Sequence, residues 1–354
     1  MTASALPNSV QRLVVTTPGG FDRLQLAHEP SKALAAGEVR IKVHAAGVNY
    51  ADAMVRRGLY RTAKKYFGYP LAPGFEVAGE VVEVAAGVTR HHVGDKVIAV
   101  TLFGGYTSEL NVREDFVFPM PEGWTFAQAA AFPAVWMTAW MALRELAHPR
   151  KGAKILVHSA AGGVGSALAR LGKILGLEVV GVVGSSHKVA AARAAGCDHV
   201  IDKSTQDLWA EAERLAPKGY DVVLDANGVA TLGESYKHLA PVGRLVVYGF
   251  STMIPKTKSG RTNWLKLAVD FLRTPRFSAF DLTETNRSVL AFNLSDLFNR
   301  KDILEDAMKD LLGWVAEGLI QPTEPRLFPF AEGAEAHRAI ESGTTTGKLV
   351  LVPA

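Results

Sequence analysis

The chain of 354 residues has a single cysteine, Cys197. An internal disulfide is excluded, which agrees with a reducing compartment. Long apolar runs are missing too: no eighteen consecutive residues are apolar, and Met1-Thr2-Ala3-Ser4-Ala5-Leu6-Pro7 lacks the basic and apolar regions of a signal peptide. A cytoplasmic location is the expectation. Charge of one sign is scarce, since 39 Lys and Arg against 35 Asp and Glu leave +4 with no long basic run. That argues against nucleic acid as a partner. Internal repeats and low-complexity tracts are absent, and 48% apolar with 21% charged residues is ordinary globular composition, so disorder is not indicated. The length suits two domains with buried cores.

What is present centres on Ile155-Leu156-Val157-His158-Ser159-Ala160-Ala161-Gly162-Gly163-Val164-Gly165 and the Ser166–Leu171 segment after it. The apolar β-branched run reads as a buried strand, and Leu168, Leu171 and Leu175 recur at helical spacing. The turn between them matches G-x-G-x-x-G with Ala160, Gly162 and Gly165 in the glycine places. A side chain at the second place would hold a pyrophosphate off the backbone, and one at the third would push the helix off the strand. Glycine turns of this kind also occur at ordinary bends. Context favours the dinucleotide reading: strands at Val179–Val183, Val222–Asp225 and Arg244–Gly249 alternate with helical segments, as in a doubly wound parallel sheet with phosphates at a helix N-terminus.

Before that sheet the texture is β-rich, with short strands at Gln11–Val15, Glu38–Ala45, Ala78–Val84, Lys96–Val100 and Tyr106–Val112 between glycine and proline turns. A mainly antiparallel β domain is expected over 1–133, a doubly wound domain over 134–299, and a return segment over 300–354. In that last segment a helix with Leu304, Met308, Leu311 and Val315 precedes Gly347-Lys348-Leu349-Val350-Leu351-Val352, which should complete the first domain.

With this domain order, Ala45-Ala46-Gly47-Val48-Asn49-Tyr50-Ala51-Asp52, Arg57-Gly58-Leu59-Tyr60, Pro73-Gly74-Phe75-Glu76-Val77-Ala78-Gly79 and Gly94-Asp95-Lys96-Val97, the chain resembles the medium-chain dehydrogenase/reductase superfamily. Within it the chain is similar to the zinc-free quinone oxidoreductase branch, and Asn286-Arg287-Ser288-Val289 with Phe292-Asn293-Leu294 resembles the VAT-1-like subgroup. The resemblance implies an α/β protein: a GroES-like β domain and a Rossmann domain with the active site in the cleft between them. Zinc members hold the metal with two cysteines and a histidine. Here Asn49 stands at the first ligand's place and Phe75 at the histidine's, so no metal is expected.

NAD-selecting sites carry an acid about twenty positions beyond the glycines. Here Gly184-Ser185-Ser186-His187-Lys188 occupies that place, and two hydroxyls with an ammonium suit the 2′-phosphate of NADPH. Lys188 would otherwise be a solvated residue at a helix start, where a cation is mildly unfavourable. The resemblance assigns to the cofactor Asn49, Thr138, Ala161, Gly162, Gly163, Val164, Gly165, Ser185, Ser186, Lys188, Asn227, Gly249, Phe250 and Lys348.

Without metal, side chains must stabilise the oxygen that gains charge on hydride transfer. Asn49 and Tyr60 are the catalytic candidates by resemblance. Tyr60 reads equally as a half-buried aromatic at a domain edge, and its unperturbed pKa near 10 makes it a slow acid. Met54 replaces a tyrosine common in quinone oxidoreductases, which makes the pocket less polar. A quinone or an α,β-unsaturated carbonyl, which spreads the charge, fits better than a simple alcohol or ketone.

The segment 251–285 carries Lys256, Lys258, Arg261, Lys266, Arg273 and Arg276 beside Trp264, Leu265, Leu267, Phe271 and Leu272. A lid or a subunit contact is the stronger reading, and contact with an anionic membrane the weaker. The apolar run Ser288–Leu294 reads as an unblocked edge strand, from which a homodimer is expected. The alternative to an NADPH-dependent reductase acting on a small molecule is a VAT-1-like lipid- or membrane-associated protein with little turnover.

Overall fold

Residues 9–253 and 258–354 are described by a computed structural model; Met1 to Pro7, read above for a signal, and Lys256 lie outside them. Of the described residues, 9–134, 258–261 and 298–354 form one compact unit, and 135–253 with 262–297 form a second.

In the first unit β1 (Ser9–Val15) pairs antiparallel with β2 (Leu24–Pro30). β3 (Glu38–Val48) buries Val39, Ile41 and Val43 while Arg40, Lys42 and His44 face outward, the period of two of a sheet with one dry face. β4 (Glu76–Val84), β5 (Lys96–Val100), β6 (Glu109–Arg113) and β7 (Val117–Pro119) extend it. The strand expected at Tyr106–Val112 starts only at Glu109, because Tyr106 turns fully inward and its hydroxyl meets Asp52.

The second unit holds β8 (Lys154–Val157), β9 (Glu178–Val183), β10 (His199–Asp202), β11 (Tyr220–Asp225), β12 (Leu239–Val247) and β13 (Ser288–Ala291). All pair in parallel, in the order β10-β9-β8-β11-β12-β13. Ile155, Leu156 and Val157, and Val222, Val223 and Leu224, are fully buried in succession, so both faces of the sheet are covered. β13 stops at Ala291 rather than Leu294, since the Asn293 side chain accepts from Ser295 N and opens the turn Leu294–Asn299.

The chain then returns. β14 (Arg326–Pro329) pairs parallel with β15 (Leu349–Val352), which pairs antiparallel with β3. The first unit's sheet therefore runs β14-β15-β3-β4-β5-β7, with β6 also on β3. Residues 258–261 join this unit although their chain neighbours do not. Arg56 Nη1 donates to Gly260 O (3.2 Å), Arg57 Nη1 to Arg261 O (3.0 Å) and Phe21 N to Ser259 O (3.2 Å), while the Glu341 carboxylate pairs with both arginines.

The run Phe126–Ala147 is long and apolar enough to cross a membrane, but 72% of its apolar window is buried in the protein, as in a core helix. By contrast the helices Trp264–Arg273 and Ala279–Thr285 expose Trp264, Leu265, Phe271, Leu272 and Phe280.

Candidate functional site

In the second unit, β8 runs into Ser159, whose φ of 56° starts a tight turn, and Ala160 N donates to Val182 O on β9. The helix Gly163–Ile174 begins at once, with no side-chain cap. A Cβ on Gly165 would lie 2.2 Å from Ser159 O, so glycine there is dictated by helix–strand packing. Among the described residues a Cβ on Gly162 would meet only Ser159 O, at 3.3 Å; local packing alone is a weak reason for glycine there. Close approach by an anion to the uncapped N–H groups of Gly163, Val164 and Gly165 supplies a stronger one. The cradle fits a dinucleotide pyrophosphate.

The other residues assigned to the nucleotide in this unit follow the carboxyl ends of neighbouring strands, where such sheets bind ligands. Asn227, 4% exposed, follows β11 and accepts from Ser159 Oγ (3.1 Å). Gly249 and the exposed Phe250 follow β12; a Cβ on Gly249 would come within 3.0 Å of Ala226 O. Ser185, Ser186 and Lys188 follow β9. Ala161 is buried in the turn, and Thr138 lies half-buried on the helix Pro133–Trp140.

One neighbour was not foreseen. Asp202, at the end of β10, accepts from the Ser186 hydroxyl and from Ser204 N and Oγ, and these bonds hold its carboxyl below the usual range. The Ser186 hydrogen therefore points to Asp202. The only sequence signal was an acid ending a short apolar strand.

In the first unit Asn49 follows β3 and precedes the helix Tyr50–Arg56; its N–H donates to Asp52 Oδ2 (2.7 Å), half of a capping box. Its side-chain Nδ2 donates to Glu76 Oε1 (2.9 Å), and its Oδ1 accepts from Lys348 Nζ (2.5 Å). Lys348 also donates to Glu76 Oε1 (2.5 Å), and Glu76 Oε2 accepts from Ala134 N (2.6 Å). Lys348 is 6% exposed and Glu76 fully buried, while Asn49 is half-buried. Lys348, assigned to the nucleotide above, thus has its ammonium neutralised within this unit by Glu76. Glu76 was missed as a site residue, although an acid in Phe75-Glu76-Val77-Ala78 is out of place in a buried strand.

Tyr60 sets its ring 5.7 Å from that of Phe75 and 5.9 Å from that of Phe103, in an aromatic cluster; Met54 is half-buried on the preceding helix. Behind Asn49 runs a buried chain. Arg56 Nε donates to His337 Nδ1 (3.3 Å), which leaves His337 Nε2–H to donate to the Tyr106 oxygen (3.3 Å), and Tyr106 donates to Asp52 Oδ2 (2.9 Å). Burial pushes the Asp52 carboxyl up to about 7. Burial, with Arg56 beside it, pushes His337 down to about 3.

Zinc does not fit this donor set. Asn49 and Phe75 offer an amide and a phenyl ring, and no three His, Cys, Asp or Glu side chains converge among the described residues. Cys197 is buried, its thiol pushed up to about 12.

Residues 35–137 match the alcohol dehydrogenase GroES-like domain family, and residues 195–351 match the family described as zinc-binding dehydrogenase. The chain is 34% identical to the synaptic vesicle membrane protein VAT-1 homolog of Rattus norvegicus, over 96% of this chain and 83% of that protein. It superposes on the Escherichia coli quinone oxidoreductase complexed with NADPH with a TM-score of 0.84 at 27% identity, covering 97% of this chain and all of that one. CurK enoyl reductase gives 0.84 at 26% identity, covering 98% and 99%. These likenesses, with the two sheets and the glycine turn, make the chain a member of the medium-chain dehydrogenase/reductase superfamily, in the zinc-free branch of the quinone oxidoreductases and VAT-1 homologues.

Proposed function

We propose that this oxidoreductase uses NADPH to reduce a quinone or an α,β-unsaturated carbonyl without zinc. The observation that carries the reading is the amide of the half-buried Asn49, pinned between Glu76 and Lys348 where metal-dependent relatives place a ligand. Bound NADPH would supply the hydride. The chain's own part is to hold the pyrophosphate at the Gly162–Gly165 turn, to discriminate at Ser185 and Lys188, and to meet the acceptor oxygen with the Asn49 amide. An amide is a weaker electrophile than a metal ion, so the acceptor must spread its own charge, as quinones and enones do. Purified protein should oxidise NADPH with members of a quinone and enone panel, undiminished by chelator, and leave simple ketones untouched. Reduction only of simple ketones, or a rate restored by added zinc, overturns the reading.

A second reading has its own support in the exposed apolar side chains of Trp264–Arg273 and Ala279–Thr285, and in relatives named for a vesicle membrane. In it the protein associates with lipid and turns over little. Flotation with anionic vesicles and no turnover on the panel would favour it.

A further inference from the structure

The Asn49 side chain can set its amide in two orientations, and its charged neighbours decide between them. An ammonium has donors and no acceptor; a carboxylate has acceptors and no donor. Lys348 Nζ sits 2.5 Å from Asn49 Oδ1, and Glu76 Oε1 sits 2.9 Å from Asn49 Nδ2. Flipping the amide would turn N–H toward ammonium and carbonyl toward carboxylate, exchanging two charge-assisted bonds for two repulsions. The contact from Lys348 to Glu76 closes the triangle.

The rest of the unit holds the triangle still. Glu76 is anchored at its other oxygen by Ala134 N, and Gly47 makes room for it, since a Cβ there would lie 2.3 Å from Oε1. Asn49 is tied at its backbone by Asp52. A buried ion pair with no other described polar partner would be a poor use of two charges, because desolvation offsets most of its attraction. Here the pair ends on the one member of the triangle that is half-exposed.

We propose that Lys348 and Glu76 are positioning residues that lock the Asn49 amide as a donor, one N–H on Glu76 and the other kept for the oxygen that gains charge as hydride arrives. The proposal rests on the reductase reading above. It separates Lys348 from a nucleotide ligand: a residue acting through Asn49 alters kcat, whereas a direct ligand of the cofactor alters its affinity.

A double-mutant cycle tests it, with kcat on a quinone from the panel and the NADPH Kd measured for each variant. Asn49→Ala should lower kcat about 100-fold, the scale for one lost oxyanion donor. Lys348→Met should lower it about tenfold or more, and Lys348→Met with Asn49→Ala should fall no further than Asn49→Ala alone, each with the NADPH Kd within about threefold of wild type. Multiplying losses, or a tenfold weaker Kd with kcat kept, overturns the proposal. If Lys348→Met alone does not fold, because it strands the Glu76 charge, Lys348→Met with Glu76→Gln removes both charges together and leaves either amide orientation open, and the same loss of kcat is expected. A readout free of turnover is the side-chain 15N resonance of Asn49, identified by its loss in Asn49→Ala. The proton held on Glu76 should exchange slowly with solvent in wild type and at least about tenfold faster in Lys348→Met. Equal exchange in both overturns the locking; a locked wild-type amide in a protein that reduces nothing on the panel overturns the reductase reading instead.

Discussion

At the scale of single residues, the NADPH reading makes cofactor choice depend on Asp202, whose carboxyl accepts from Ser186. With its hydrogen on Asp202, Ser186 has only lone pairs left to offer, so in this reading the discrimination would fall to Ser185 and Lys188. NADPH should bind at least about tenfold more tightly than NADH, Lys188→Ala should erase that preference, and Asp202→Asn should widen it about threefold or more by freeing Ser186 and removing a negative charge. Titration of both nucleotides checks this, and a narrower preference in Asp202→Asn would refute it. Asp52 and His337 act on stability with opposite signs. Because burial raises the Asp52 carboxyl to about 7, the folded protein keeps a proton there that the unfolded chain releases near pH 4; this contribution is full below pH 4 and lost as pH rises through 7. His337, lowered to about 3, contributes above pH 6.5 and loses its contribution as pH falls toward 3. Between pH 4 and 6.5 the two slopes, each at most ~1.4 kcal/mol per pH unit, oppose one another. Urea unfolding of His337→Gln, taken relative to wild type, should lose stability as pH rises through that window, and Asp52→Asn should gain it. Flat difference profiles would remove both assignments.

At the scale of elements, the turn after β8 depends on contact between a helix and a strand. Gly165 has no space for a methyl group, since Ser159 O and Ala160 Cα occupy it. Gly165→Ala should therefore lower the urea midpoint, by an amount equivalent to about 1–3 kcal/mol for an overpacked site, and weaken NADPH as the helix N-terminus moves. At Gly162 the only nearby atom among the described residues is Ser159 O at 3.3 Å, so Gly162→Ala should weaken NADPH with little loss of stability. Equal effects of the two on stability would show that the second glycine is there for packing as well. This pair was readable in the sequence because the turn, the strand before it and the helix after it are contiguous. β2 and the early end of β13 were not, since one depends on pairing with β1 and the other on the Asn293 side chain.

At the scale of the whole molecule, the second unit has an open edge at β13 and, just before it in the chain, two helices with bare apolar side chains. Phe280 is 84% exposed, Leu265 77% and Leu272 74%. Unpaired strand edges and contiguous apolar patches both invite association. We expect a two-fold homodimer in which β13 pairs with its copy and these helices are covered by the same contact. Sedimentation at micromolar concentration should show twice the 38.0 kDa chain mass. Leu272→Glu with Phe280→Glu should weaken the dimer at least about tenfold while the urea midpoint of the monomer holds, because both side chains are exposed in the single chain. A 38 kDa species in wild type would refute the dimer, and a dimer indifferent to both charges would refute the part given to the helices.

The sequence by itself determined the class of fold, the glycine turn and the loss of the metal ligands, because these are written in local periodicity, in residues a few positions apart and in the identity of single side chains. The tertiary structure alone decided what each polar group bonds. Lys348 lies 299 residues from Asn49 and 272 from Glu76, and His337 lies 231 from Tyr106. No pattern within a strand or helix encodes such partners. They meet because β15 returns to β3 and the helix Gly333–Ser342 packs beside Tyr50–Arg56, and only that closure brings Lys348 onto Asn49 and Glu76.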